Sequence, residues 1–135
     1  MSVLLDTGIV YAYYDRSDAW HERARRVMQA EEGGLVLPAP VIPEVDHLLG
    51  VRLGPKSRQV FYSGITGGSY VVVDLPAAGY RRVAALNRQF DDLDLGFVDL
   101  AVAALAESVA LPRIATTDRR HFEAVAALLK LELVP

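Results

Sequence analysis

Three apolar residues run directly into a polar turn in the stretch Val3-Leu4-Leu5-Asp6-Thr7-Gly8. A short apolar run that ends in polar turn residues is typical of a strand buried on both faces. Such strands occur in parallel sheets that are covered by helices, and ligands bind in those sheets just beyond the carboxyl ends of the strands. The stretch therefore predicts a class of fold and a first candidate site residue, Asp6.

Further apolar runs alternate with segments of helical periodicity along the rest of the chain. This alternation, with no hairpin signal, predicts right-handed crossovers and a three-layer α/β/α sandwich around a mainly parallel sheet of about five strands. The predicted strands cover residues 3–5, 35–37, 70–73, 113–116 and 131–134. The predicted helices cover residues 9–14, 56–62, 77–90, 98–109 and 122–130, with two more that start at a Ser17 or Asp18 cap and at Pro43.

Composition limits the remaining possibilities. A chain of 135 residues that is 52% hydrophobic closes one core, so we expect a single domain over residues 1–135. Its 14 basic and 17 acidic residues give a net charge of -3, which argues against a strongly basic nucleic-acid coat. The absence of cysteine excludes disulfides, thiolate zinc sites and cysteine nucleophiles. With neither a long apolar run nor a cationic leader before Asp6, we expect a soluble, cytoplasmic protein and no membrane partner.

Four acidic residues far apart in the sequence are predicted to meet at one edge of the sheet. Asp6 and Asp118 follow strands, Glu44 lies in the opening turn of a helix, and Asp99 begins another helix on its apolar face. Converging carboxylates repel one another and require a compensating cation. The only two lysines lie away from the strand ends, and hard oxygen ligands suit Mg²⁺ or Mn²⁺ better than zinc. The pattern predicts a divalent metal site.

Each of these residues also has a purely structural interpretation. An Asp after a strand often caps a helix, and a first-turn Glu is favoured by the helix dipole. The histidines show no ligand spacing, so they are interpreted as structural or solvated residues; they are His21, His47 and His121. Arg119 and Arg120 form either a solvated pair or a weak phosphate contact at the rim of the site. The case for a site rests on the conjunction of the four acids.

The order and spacing of these motifs resemble the PIN-domain nucleases, in particular the VapC-type toxins of toxin-antitoxin pairs. The resemblance extends over nearly the whole chain. It is carried by four segments, which are Val3-Leu4-Leu5-Asp6-Thr7, Val41-Ile42-Pro43-Glu44-Val45, Leu95-Gly96-Phe97-Val98-Asp99 with the acidic residues from Asp92 onward, and Thr116-Thr117-Asp118-Arg119-Arg120-His121-Phe122.

The resemblance implies a Mg²⁺- or Mn²⁺-dependent endoribonuclease. It assigns Asp6, Glu44, Asp99 and Asp118 as the catalytic and metal-binding acids, with Asp92 as an auxiliary acid. It also implies an RNA substrate, a homodimer and a cognate antitoxin that covers the site. Two positions depart from the family pattern: Gly8 stands where many relatives carry a polar residue, so Thr7 or Thr117 would supply any hydroxyl, and Asp94 stands where proline is frequent.

Two other interpretations remain open at this stage. A phospho-signalling receiver has similar size and alternation, with Asp74 as its possible acceptor, but no lysine lies near Thr117. A catalytically inactive PIN-like binding module would have the same fold. The second is disfavoured because all four acids are present.

Overall fold

Five short strands form one sheet in which every neighbouring pair runs parallel. The computed structural model describes all residues from Met1 to Pro135. The strands are β1 (Val3–Leu5), β2 (Leu35–Pro38), β3 (Val71–Val73), β4 (Arg113–Ala115) and β5 (Glu132–Val134). Their order across the sheet is β3-β2-β1-β4-β5, which puts β1 at the centre. All three β1 residues are fully buried, as its unbroken apolar sequence predicts.

Seven α-helices connect and cover the strands. They are α1 (Thr7–Tyr14), α2 (His21–Ala30), α3 (Ile42–Arg52), α4 (Pro55–Thr66), α5 (Ala77–Gln89), α6 (Phe97–Ser108) and α7 (Arg119–Leu129). Helix α1 packs against α2 and α3, and α3 packs against α4. In the second half of the chain, α6 packs against both α5 and α7. The three-layer α/β architecture with a parallel five-stranded sheet is confirmed. None of the helices combines the length and apolar character that crossing a membrane requires.

Several element boundaries differ from the sequence predictions, and three of them are informative. Helix α2 starts at His21 rather than directly after Ser17, because Asp18 holds a turn instead: its carboxylate accepts a hydrogen bond from Trp20 N at 2.8 Å. Helix α7 starts at Arg119, earlier than predicted, because Asp118 caps it. Helix α4 continues beyond residue 62 through Gly64, where a Cβ would lie only 2.9 Å from the Tyr70 ring.

The carboxyl ends of the two central strands lie side by side. Leu5 of β1 pairs with Ala115 of β4, and the next backbone amide, that of Asp6, donates to Ala115 O at 3.0 Å. The residues that follow these strands, Asp6 and Thr116, therefore meet at the sheet edge, although they are 110 positions apart. This adjacency creates the candidate site.

Candidate active site

Asp6 lies at the N-cap of α1 and is almost completely buried, with 7% of its surface exposed. One carboxylate oxygen, Oδ1, accepts from Thr7 N at 2.8 Å, and the other, Oδ2, accepts from the Thr116 hydroxyl at 2.9 Å. The capping role allowed by the sequence is therefore real. It uses one oxygen of the carboxylate, so it does not exclude a second function for this residue.

The pKa of Asp6 is raised to about 6. Burial is the main cause, and the two hydrogen bonds counteract it in part. The negative charges of Asp99 and Glu44 raise the pKa further. The charges of Glu44 and Asp99 are thus close enough to Asp6 to change its pKa.

Glu44 lies in the first turn of α3, directly after Pro43, which suits the opening of a helix. The Thr7 hydroxyl donates to Glu44 Oε1 at 2.6 Å. Since the Thr7 amide binds Asp6, this one residue joins two acids, one with its backbone and one with its side chain. The predicted hydroxyl contribution of Thr7 is therefore visible as a contact with Glu44.

Asp99 lies in the first turn of α6, the helix whose residues from Leu100 to Ala106 are all buried. Burial raises the pKa of the Asp99 carboxyl, the charge of His121 lowers it, and the charges of Glu44 and Asp118 raise it again. The backbone N–H of Gly96 also favours the ionised form of Asp99. The Asp99 carboxylate therefore interacts electrostatically with Glu44 and Asp118, and it also raises the pKa of Asp6.

Asp118 lies at the N-cap of α7 and accepts a hydrogen bond from His121 N at 3.4 Å. Its second oxygen lies 2.5 Å from Nδ1 of the His121 ring. His121, which sequence analysis interprets as a structural or solvated residue, thus contacts one of the four acids while half of its side chain is exposed. The spacing of Asp118 and His121 in the sequence indicates this contact, because a side chain at the third helical position can reach back to the N-cap residue.

His21, in contrast, has the structural role expected of it, with its ring Nδ1 2.8 Å from Ala12 O.

Thr116 is the residue that sequence analysis missed. It is fully buried, and its hydroxyl contacts Asp6 while accepting a hydrogen bond from Asp118 N at 3.0 Å. The resemblance implies a hydroxyl from Thr7 or Thr117 and does not include Thr116. The Thr117 side chain instead packs against Gly8, where an added Cβ would lie 2.2 Å from Thr117 Oγ1. The absence of a side chain at position 8 thus makes room for this threonine.

Other predicted site residues form no hydrogen bond or ion pair with the four acids. Asp92 is exposed in a 3₁₀ turn, Asp91–Leu93, and Asp94 follows it in the left-handed region with a φ of 51°. The Arg119 guanidinium donates to Leu133 O at 3.1 Å and Pro135 O at 2.8 Å, so it attaches α7 to the last strand. Arg120 is exposed.

The donor chemistry of the four acids fits a hard divalent cation. Carboxylate and hydroxyl oxygens are the ligands that Mg²⁺ and Mn²⁺ prefer, and a cation would offset the raised pKa values of Asp6 and Asp99. No three carboxylate or imidazole groups of the chain are arranged as a ready-made metal site. The four acids are linked instead by the hydroxyls of Thr7 and Thr116 and by the contact between His121 and Asp118. The charges of neighbouring acids also raise the pKa values of Asp6 and Asp99.

Comparison with known proteins identifies the family of the chain. The family model of the PIN domain matches residues 3–128. The chain is 27% identical to Ribonuclease VapC26 of Mycobacterium tuberculosis over 123 residues, which cover 91% of each protein. The crystal structure of VapC20 from the same species, a Sarcin-Ricin loop cleaving toxin, superposes with a TM-score of 0.83 at 20% identity, covering 91% of this chain and 95% of that one.

A toxin-antitoxin complex from Klebsiella pneumoniae shares the fold as well. Its TM-score is 0.72 at 16% identity, with 99% of this chain and 97% of that chain covered. A receiver-type interpretation has no support from these matches. With a family model spanning nearly the whole sequence, the chain belongs to the PIN-domain family.

Proposed function

We propose that this protein is a Mg²⁺- or Mn²⁺-dependent endoribonuclease whose site consists of Asp6, Glu44, Asp99 and Asp118. The observation that carries the proposal is the electrostatic convergence of acids from four separate elements. The charges of Glu44 and Asp99 raise the pKa of Asp6, and those of Glu44 and Asp118 raise the pKa of Asp99. The similarity to Ribonuclease VapC26 supports RNA as the substrate.

The chain's own residues hold the acids ready for this chemistry. Thr116 and the Thr7 amide orient the Asp6 carboxylate, and the Thr7 hydroxyl orients Glu44. A divalent ion held by such carboxylates would lower the pKa of a bound water and offset negative charge on the phosphate oxygens. Asp6 and Asp99 would be its central ligands, and Glu44 and Asp118 would bind it directly or through water.

The favoured class of substrate follows from the net charge of the chain and from the position of the carboxylates at the sheet edge. With a net charge of -3, the chain has no general attraction for a polyanion, so binding requires local positive charge. Single-stranded or looped RNA is the favoured substrate because its backbone and bases can be splayed open to reach carboxylates at the edge of a sheet. Hydrolysis at such a site leaves a 5'-phosphate and a 3'-hydroxyl.

The protein partners are also proposals. Solved relatives include toxin-antitoxin complexes from Klebsiella pneumoniae and Rickettsia felis. By analogy, this chain is a toxin held inactive by a small antitoxin, and it acts as a homodimer in the cytoplasm.

Cleavage of total RNA by the purified protein tests the proposal. We expect fragments to appear with Mg²⁺ or Mn²⁺ and to disappear when a chelator is added. Asp6→Asn and Asp99→Asn should each lose cleavage. Asp74→Asn is the matched control, since Asp74 is exposed beyond β3 and forms no ion pair.

Two results would contradict the proposal. Cleavage that survives both site substitutions would reject the assignment of the acids. Intact RNA under every metal condition would instead favour the inactive binding module.

A further inference from the structure

An exposed aromatic pair lies beside the acidic site. Phe97 begins α6, a helix whose residues from Leu100 to Ala106 are all buried, yet 48% of the surface of Phe97 is exposed. Its ring stacks on Tyr80 of α5, with centroids 6.1 Å apart and ring planes inclined by 26°. Tyr80 is itself 56% exposed. Folding gains little from two large rings left in water, so the pair calls for another explanation.

The pair is close to the proposed chemistry. Phe97 and Asp99 share the first turn of α6, and one helical turn advances only ~5.4 Å. Asp99 in turn feels the charges of Glu44 and Asp118. Side chains two positions apart on a helix point to different sides, so a base on the rings would belong to a nucleotide that neighbours the one at the acids.

The charge on α5 favours a polyanion at this position. The helix carries Arg81, Arg82 and Arg88 and no acidic residue. Arg82 is held by Glu107 at 2.7 Å, whereas Arg81, next to Tyr80, has no ion-pair partner. Aromatic side chains beside free arginines are the usual means by which proteins bind single-stranded nucleic acid.

We propose that Tyr80 and Phe97 form a stacking platform for one base of a single-stranded RNA, with Arg81 contacting the adjoining phosphate. This inference rests on the proposed nuclease function and adds a substrate-binding subsite to it. Two rings bordered by Arg81 and Asp99 are a small and charged patch. A stable protein interface needs about 800 Å² from each partner, so a nucleobase is the better match.

Binding of a short fluorescein-labelled single-stranded RNA, measured by anisotropy with Ca²⁺ in place of Mg²⁺, tests the platform. Because base stacking on an aromatic ring is typically lost on alanine substitution, Tyr80→Ala and Phe97→Ala should each weaken binding about tenfold. Tyr80→Phe and Phe97→Tyr should bind like the parent protein. Leu128→Ala, which truncates an exposed apolar side chain on α7, is the matched control and should change nothing.

An abasic scan separates stacking from a general structural effect. In the parent protein, removing the base at one RNA position should cost as much affinity as Tyr80→Ala. In Tyr80→Ala, the same abasic RNA should lose nothing further. Circular dichroism identifies any variant that fails to fold, and Tyr80→Ala keeps the test decisive if Phe97→Ala does not fold.

Three results would overturn the platform. One is unchanged RNA affinity in Tyr80→Ala, and another is equal sensitivity of parent and variant to the abasic position. The third is a change in oligomeric mass on sedimentation, which would make the pair a contact between copies of the chain. Cleavage of RNA by the parent protein is scored separately, so failure of the proposed nuclease function is distinguished from failure of the platform.

Discussion

The hydroxyl of Thr116 donates to Asp6 Oδ2 at 2.9 Å and accepts from the Asp118 amide at 3.0 Å. Because the amide can only donate, the hydroxyl proton must point at Asp6. One buried side chain therefore sets the position of the acid after β1 relative to the acid that caps α7. It also favours the ionised form of Asp6, whose pKa burial raises.

Thr116→Val should lower both stability and metal affinity. The change leaves the Asp118 amide without its acceptor and Asp6 Oδ2 without its donor, which costs about 1–3 kcal/mol for a buried site. Urea unfolding measures the loss of stability, and titration with Mn²⁺ measures the loss of metal binding. Thr116→Ser retains the hydroxyl and should recover most of both. A valine variant that matches the parent protein in both measurements would show that the hydroxyl is dispensable.

Asp6 should make the stability of the protein depend on pH. Its pKa rises from 3.8 to about 6 on folding, mainly because of burial. Between these values the folded protein keeps a proton that the unfolded chain releases, so stability falls as pH rises through this window. Above pH 6 the full destabilisation of the folded state is present, at roughly 3 kcal/mol. Asp6→Asn removes the charge and should therefore raise the free energy of unfolding at pH 7.5.

The comparison across pH makes this prediction specific. The stabilising effect of Asp6→Asn should shrink as pH falls and vanish near pH 4, where the parent carboxyl is protonated when folded. Chemical unfolding of both proteins at several pH values, without metal, measures the difference. A difference that is constant with pH would show that Asp6 carries no buried charge penalty.

Binding of a divalent metal should offset the destabilisation that the buried Asp6 charge causes in the parent protein. A ligand that binds only the folded state stabilises it by about 2.7 kcal/mol at a hundred times its Kd. We therefore expect Mn²⁺ to raise the Tm of the parent protein and of Asp74→Asn. Asp99→Asn should lose most of the increase, because it removes one of the carboxylates proposed to hold the metal. An equal rise of Tm in Asp99→Asn would place the metal elsewhere.

Most of the fold and the convergence of the four acids could be predicted from the sequence. The run Val3-Leu4-Leu5 is apolar because β1 is buried on both faces, and parallel topology places whatever follows each strand at one edge. Which of two adjacent threonines faces Asp6 could not be predicted. Side chains alternate along an extended segment, so the choice between Thr116 and Thr117 depends on the exact register of β4 against β1.

Gly34 offers a final test of how the central strand is held. Its carbonyl accepts from Val3 N at 2.9 Å, and a Cβ on Gly34 would lie 2.2 Å from Met1 O and 3.0 Å from Ser2 Cα. These are backbone atoms that cannot rotate away, so Gly34→Ala must displace the segment that leads into β1. Overpacking of this kind typically costs about 1–3 kcal/mol.

Gly96→Ala is the matched control for this substitution, since a Cβ there meets nothing within 4 Å. Urea unfolding should show a clear loss for Gly34→Ala and a much smaller one for Gly96→Ala. The displacement should also reach the active site, because β1 positions Asp6 directly beyond its last residue. Gly34→Ala should accordingly reduce RNA cleavage while the protein is still folded, and full activity in a destabilised Gly34→Ala would show that the strand end is held independently of its beginning.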